Sequence, residues 1–91
     1  MLITLEEAKV WLRVDQNEDD PIITEIIHAV PVYIESATGL TETEQEREPL
    51  CKTAAQFLIR LWYDGDLVTD RHERTLAALM KSIKLKAATK T

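Results

Sequence analysis

Glycine, proline and cysteine are scarce in this chain, and their scarcity excludes several classes of fold and site. Its 91 residues include two glycines, three prolines and one cysteine. So few chain-breaking residues argue against a meander of short strands and favour long helices. The lone Cys51 has no cysteine partner for a disulfide or a paired-cysteine zinc site, and its helical neighbours Leu50, Ala54 and Ala55 indicate a buried thiol.

Features that would mark a membrane protein or an enzyme are also missing. No apolar run is long enough to cross a bilayer, and no signal-peptide pattern opens the chain, so we expect cytoplasmic synthesis and no membrane partner. There is no phosphate-binding glycine loop and no His-x-x-x-His or Cys-x-x-Cys pair. The acidic segment around Asp19 and Asp20 lacks the glycine and distal glutamate of a calcium loop. We therefore expect no cofactor, no metal and no catalysis.

Charge is unevenly distributed along the chain, although the net value is only −5. Residues 1–70 carry 5 basic and 15 acidic side chains, a net −10, whereas residues 71–91 carry 6 basic and 1 acidic, a net +5. The basic stretch indicates either an acidic partner or cations that stabilise the C-terminal end of a last helix through its dipole.

Apolar residues recur at intervals of three and four, which predicts a compact all-α bundle of four helices in one domain. The first helix begins at Thr4, which has capping-box spacing to Glu7, and ends near Arg13. Residues 14–20 form a polar link before the second helix. Residues 40–48 are predicted to be a solvated acidic loop between the second and third helices.

The second helix is the clearest amphipathic segment. Asp20 is expected to cap it, Pro21 occupies its first position, and Gly39 ends it in the left-handed conformation. Pro31 lies inside the helix and predicts a kink, because proline lacks the amide that would bond the carbonyl of Ile27. Its predicted apolar stripe is Ile23, Ile26, Ile27, Val30, Tyr33, Ile34 and Ala37.

Two further helices complete the predicted bundle. The third runs from about Pro49 to Asp64, and its apolar arc is so wide that it must be central or shared with another subunit. A loop over residues 66–70 leads to a fourth helix capped by Thr69 or Asp70, and residues 86–91 are predicted to be a frayed basic tail. The inner stripe of the fourth helix is predicted to be His72, Leu76, Leu79, Met80 and Ile83.

Several motifs in order resemble a known family. The segment Leu5-Glu6-Glu7-Ala8-Lys9, followed by Trp11-Leu12-Arg13-Val14-Asp15, is similar to the L-E-E-A-K-x-x-L-R-I-D start of head–tail connector proteins of tailed bacteriophages. The acidic link ending at Asp20, the run from Ile22 to Gly39 and the pair Trp62-Tyr63 also match the family pattern. The resemblance covers roughly residues 1–65 and is weaker over the fourth helix.

The resemblance implies a structural role without catalysis. Such proteins form a ring, twelvefold if it matches the portal, that docks beneath the portal protein in the virion neck. The ring extends the DNA channel, through which DNA passes without specific binding, and presents a platform to a tail-side connector. A subunit interface is therefore expected, and its candidate residues are Trp11, Ile59, Trp62, Arg71, Arg74, Lys81 and Leu85.

A small helical nucleic-acid-binding regulator is the alternative. Such a module needs a basic recognition helix, and only the last helix, with Arg71, Arg74 and Lys81, could serve. We expect the basic stretch to contact a neighbouring protein instead, because the rest of the chain carries −10 and repels DNA.

Overall fold

The computed structural model describes residues 1–65 and 70–88, and it is all-α over these residues, as predicted. The helices are α1 (Leu5–Leu12), α2 (Asp20–Thr38), α3 (Glu42–Glu46), α4 (Pro49–Tyr63) and α5 (Asp70–Ala88). The prediction of four helices was wrong, because the segment expected to be an acidic loop contains α3. Some predicted features lie outside what the structure describes. They are residues 66–69 of the predicted 66–70 loop, including the predicted cap Thr69, the side chains of Asp70 and His72, and residues 89–91.

Local sequence signals define both ends of α1. The Thr4 hydroxyl accepts a hydrogen bond from the Glu7 amide at 3.1 Å, and the Glu7 carboxylate accepts one from the Thr4 amide at 3.0 Å. This is the predicted capping box. Arg13 ends the helix in the left-handed conformation, at φ 58°. The predicted bounds of α1 are confirmed.

A second capping box begins α3. Thr41 and Glu44 have the same spacing, and the Glu44 carboxylate accepts a hydrogen bond from the Thr41 amide at 2.9 Å. The helix is only five residues long, so no apolar period could reveal it. The Thr-x-x-Glu pattern of Thr41 and Glu44 was the sequence signal from which the start of α3 could have been predicted.

The acidic segment before α2 ties helices together. The helix begins at Asp20, and Asp19 is the N-cap residue but makes no side-chain cap. Asp20 Oδ1 lies 2.9 Å from Lys9 Nζ of α1, and the Tyr63 hydroxyl of α4 donates to Asp19. The predicted capping by Asp20 was therefore wrong. Both carboxylates instead turn toward partners on other helices.

The middle of α2 is held by a buried amide from α3. Gln45 is completely buried, and its Nε2 donates to the carbonyl oxygens of Pro31 at 3.0 Å and Leu40 at 2.8 Å. The helix runs without interruption through the buried Pro31. The kink predicted at Pro31 stays a prediction.

Replacing Pro31 with alanine should raise the free energy of unfolding by about 1–2 kcal/mol. Alanine restores an amide donor for the Ile27 carbonyl, a change worth ~3 kcal/mol in a helix interior, and loss of the buried ring offsets part of that gain. Urea unfolding measures this difference. If α2 needs the proline to shape the subunit, Pro31→Ala will instead fold stably and assemble poorly. Unchanged stability together with unchanged assembly contradicts both expectations.

The core is centred on α4, which packs against all four other helices. Cys51, Ala54, Ala55, Leu58 and Ile59 are buried along it. The predictions of a central third helix and of a buried Cys51 thiol are confirmed.

The last helix docks through a narrow apolar face. Leu76, Met80 and Ile83 are buried, as predicted. The helix continues through Ala88, past the residue at which we placed the start of a frayed tail. Within this extension, Lys86 Nζ lies 3.1 Å from the carboxylate of Glu48, a side chain only 4% exposed at the start of α4. The end of α5 is therefore tied to the bundle.

Candidate interface surfaces

The structure separates the residues predicted for a subunit interface. Ile59 is completely buried within the subunit, which excludes it from a contact between subunits. Trp62 and Leu85 are 37% and 59% exposed, and Trp11 is half-buried against the core. Arg71, Arg74 and Lys81 are exposed on α5. Trp62 and Leu85 are therefore the apolar candidates with the most surface to offer.

Helix α2 carries a second apolar line beside its buried one. The α2 stripe consists of Ile22, Ile26, Ala29 and Tyr33, at spacings of four, three and four residues, which places them on one face. Ile22 is 54% exposed and Tyr33 is 42% exposed. The predicted core stripe of α2 included Ile26, which does pack partly against the core, and Tyr33, which is exposed; it did not include Ile22. The signal was available, because the apolar arc of α2 is wider than one packed face requires.

An aromatic contact joins the α2 stripe to α4. The rings of Tyr33 and Trp62 meet edge to face, with centroids 5.6 Å apart and planes at 84°. This geometry is favourable for aromatic pairs, and it holds both rings in place at the surface. Trp62 therefore extends the α2 stripe sideways onto α4.

The outer side of α5 is basic with an apolar end. The α5 outer face consists of Arg74, Ala78, Lys81 and Leu85, which repeat the spacings of four, three and four residues. All four side chains are exposed. Among the described side chains, which do not include those of Asp70 and His72, neither Arg74 nor Lys81 has an ion-pair partner.

Trp11 belongs to a different surface. It lines an open groove of about 380 Å³ between α1 and α4 with Leu12, Arg13, Arg60 and Asp64. Arg60 Nη2 crosses the groove and donates to the Trp11 carbonyl at 3.0 Å. Trp11 thus shares a groove with Arg13 and Arg60. Trp62 lies on a different surface, where its ring contacts Tyr33.

The shifted pKa values in the structure have structural causes. The hydrogen bond from Tyr63 to Asp19 raises the pKa of the Tyr63 hydroxyl above its ordinary value. The contact with Lys52 and the capping bond from Thr4 lower the pKa of the Glu7 carboxyl. Tyr63 joins α4 to the residue before α2, and Glu7 joins α1 to α4. Among residues 1–65 and 70–88, no group of three or more histidine, cysteine, aspartate or glutamate side chains is arranged to hold a metal ion.

Acidification should weaken the contact between α1 and α4 through Glu7. Because the folded pKa of Glu7 lies below the ordinary 4.5, its contribution is complete above that pH and is lost as pH falls through the folded value. The Glu7→Gln variant should be less stable than the parent at about pH 7 and lose less stability on going to about pH 3. Urea midpoints at both pH values measure this. Glu6→Gln, an exposed neighbour, should match the parent at about pH 7, and equal acid losses for parent and Glu7→Gln would contradict the expectation.

These observations define a small helical protein with surfaces suited to contacts with other macromolecules. Two exposed helix faces, one apolar and one basic, are its distinctive features, and its shifted carboxyl and hydroxyl groups serve structural contacts. In the described part of the chain, no helix is both long and apolar enough to cross a membrane.

The chain belongs to the family of phage gp6-like head–tail connector proteins, whose sequence pattern matches residues 2–85. The match confirms the family resemblance and extends it across most of α5, where the sequence motifs were weakest. Neither a curated protein nor a solved structure shows a significant match to the chain. The family is a structural one and not a known enzyme family. The chain is therefore a structural connector of the phage neck, and it works through contacts with other head and tail proteins.

Proposed function

We propose that this chain forms a ring beneath the portal, where it joins the head to the tail and extends the channel for DNA. The family match over residues 2–85 is the observation that carries this proposal. The exposed apolar surface at Ile22, Tyr33 and Trp62 supports it, since exposed apolar patches on small domains commonly mark protein contacts. A ring also enlarges the effective core of a domain this small.

The charge distribution supports a channel through which DNA passes without binding. Residues 1–70 carry a net −10, and many of their carboxylates, including Glu6, Asp15 and Glu35, are exposed. Like charge on a channel wall prevents the DNA backbone from adhering to it. Exposed carboxylates outnumber exposed cations by eight to four over residues 1–65, whereas the described side chains of α5 include five exposed cations and one exposed carboxylate, which leaves the acidic helices to face the channel.

Loss of the chain in the phage or prophage that encodes it should leave DNA-filled heads and free tails that do not join. Supplying the intact chain in trans should restore joined particles, as counted by electron microscopy. Joined, infectious particles in the absence of the chain would overturn the proposed role. Native mass measurement of the purified protein then gives the number of subunits in the ring and tests the expectation of twelve.

A nucleic-acid-binding module is the second candidate, and the exposed cations of the α5 outer face favour it. Phosphate contacts by Arg74 and Lys81 would give an affinity that falls steeply with salt. We expect no appreciable DNA affinity at about 0.15 M salt, where charge screening acts over ~8 Å, because the acidic body opposes binding. Tight DNA binding that is lost in an Arg74→Ala, Lys81→Ala variant would favour the regulator over the connector.

A further inference from the structure

We propose that two different faces of the chain meet when copies associate: the α5 outer face of one copy packs against the α2 stripe of the next. The inference rests on the proposed function in that both require self-association, and it goes further by assigning the contact surfaces. The occupant of the α2 stripe is therefore a second copy of this chain.

The two faces match in length and spacing. The α2 stripe runs from Ile22 to Tyr33 and the α5 outer face runs from Arg74 to Leu85. Each covers eleven steps along the helix, about 17 Å at 1.5 Å per residue. Each has an alanine near its middle, Ala29 and Ala78, and both alanines are exposed. Small residues at these points let two helices approach closely, while larger side chains at the ends fill the sides of the contact.

Their charges are complementary. Glu25 lies three residues after Ile22 on α2 and borders the α2 stripe, and Glu18 lies in the turn just before the helix; both carboxylates are exposed. Among the described side chains, which do not include those of Asp70 and His72, neither carboxylate makes an ion pair, and the same holds for Arg74 and Lys81. Packing α5 on the stripe puts cations beside these carboxylates and covers Leu85 against apolar side chains. An apolar centre within a charged rim is the usual arrangement of a protein interface.

The alternative surface for α5 is less suitable. The groove beside Trp11 is lined by two arginines, Arg13 and Arg60, and one aspartate, Asp64, so its net charge has the same sign as Arg74 and Lys81. Two copies of the α2 stripe facing each other would leave the α5 cations without partners and would bring Glu25 of each copy near the other. The charges therefore select a contact between unlike faces, which generates a ring when the rotation between copies closes.

Engineered cysteines test this arrangement in the full chain. Ala29→Cys and Ala78→Cys place thiols on the two faces, and the native Cys51 is buried and stays out of reach. Under mild oxidation, the double variant should give a ladder of linked chains. Each single variant should give none alone, and an equal mixture of the two should give dimers. Linked dimers from Ala29→Cys alone would show that the α2 stripe meets itself, and would overturn the proposal.

Charge reversal supplies an independent measurement. Glu25→Lys and Lys81→Glu should each weaken self-association about tenfold, and combining them in one chain should restore much of the loss. Glu35→Lys makes the same charge change as Glu25→Lys on the same helix but on its other side, and it should leave association unchanged. Sedimentation over a range of concentrations measures each variant. Equal effects at the face and control positions, or no rescue in the double variant, would contradict the pairing.

The two proposals fail in different ways. If the purified chain stays monomeric at every concentration and gives no ladder, the pairing of faces is overturned, while the test of head–tail joining in the phage still decides the proposed function. If heads and tails join without the chain, the connector ring is overturned, whatever the cysteine variants show about self-association.

Discussion

Replacing Gln45 with alanine should lower the free energy of unfolding by about 2–4 kcal/mol. The Gln45 amide is completely buried and donates both to Pro31 in the middle of α2 and to Leu40 in the connection before α3. Without it, two carbonyl oxygens lose a donor and the core gains a cavity. Urea unfolding measures the loss. Gln56→Ala is the matched control, because Gln56 is exposed on α4, and it should change stability by less than about 0.5 kcal/mol.

Two further substitutions at Gln45 separate its hydrogen bonds from its volume. Gln45→Met keeps most of the volume but donates nothing, so it should recover only the part of the loss that comes from the cavity. Gln45→Glu directs a carboxylate at two carbonyl oxygens, and burial raises the pKa of such a group. Its penalty should therefore grow as pH rises above 4.5, the ordinary pKa of a glutamate. A Gln45→Met variant as stable as the parent would show that the hydrogen bonds contribute little.

Replacing Ile83 with alanine should cost about 2–5 kcal/mol. Ile83 has no exposed surface, and with Leu76 and Met80 it holds α5 against α2 and α4. A helix docked through so few buried side chains depends strongly on each of them. Hydrogen exchange should show α5 amides losing protection before those of α4, and urea unfolding should give the loss of free energy.

Leu85→Ala is the matched control in the same helix. Leu85 is 59% exposed, so its truncation should leave stability within about 0.5 kcal/mol of the parent. It should weaken self-association, however, because Leu85 is the apolar end of the α5 outer face. Equal losses of stability at positions 83 and 85 would contradict the assignment of inner and outer faces.

Removal of residues after Ile83 is a poorer test of the basic stretch than these point substitutions. Lys86 is a partner of the nearly buried Glu48, whose carboxylate also accepts the Leu50 amide at 3.0 Å. The truncation would therefore disturb the start of α4 as well as any contact between subunits.

Sequence motifs identified the family because its features are local. The capping box of α1, the proline at the start of α2 and Gly39, at φ 84°, are each recognised within a few residues. The family resemblance likewise depended on short segments, such as residues 5–15 and the pair Trp62-Tyr63, and on their order. The weaker motifs near α5 lacked such signals, and the family match to residue 85 came from the pattern of the whole chain.

The interface could be predicted only in part. Trp62 and Leu85 have exposed surface, whereas Ile59 is in the core and Trp11 lines a separate groove. A helical period shows which residues share a face, but a helix with a wide apolar arc has more than one face to bury. Neighbouring helices decide which of them is covered. This is why Tyr33, assigned to the core from its spacing, lies at the surface against Trp62.

Short-range spacing was therefore sufficient to determine the helical class, the bounds of α1 and the buried state of Cys51. These depend on backbone caps and on apolar periods that act within one helix. Long-range contacts decided the rest. The partners of Asp19, Asp20, Gln45 and Lys86 all lie on other helices or connections, and their choice depends on how the chain brings distant segments together. The same packing left the α2 stripe and the α5 outer face uncovered, because one small bundle has too few helices to cover both.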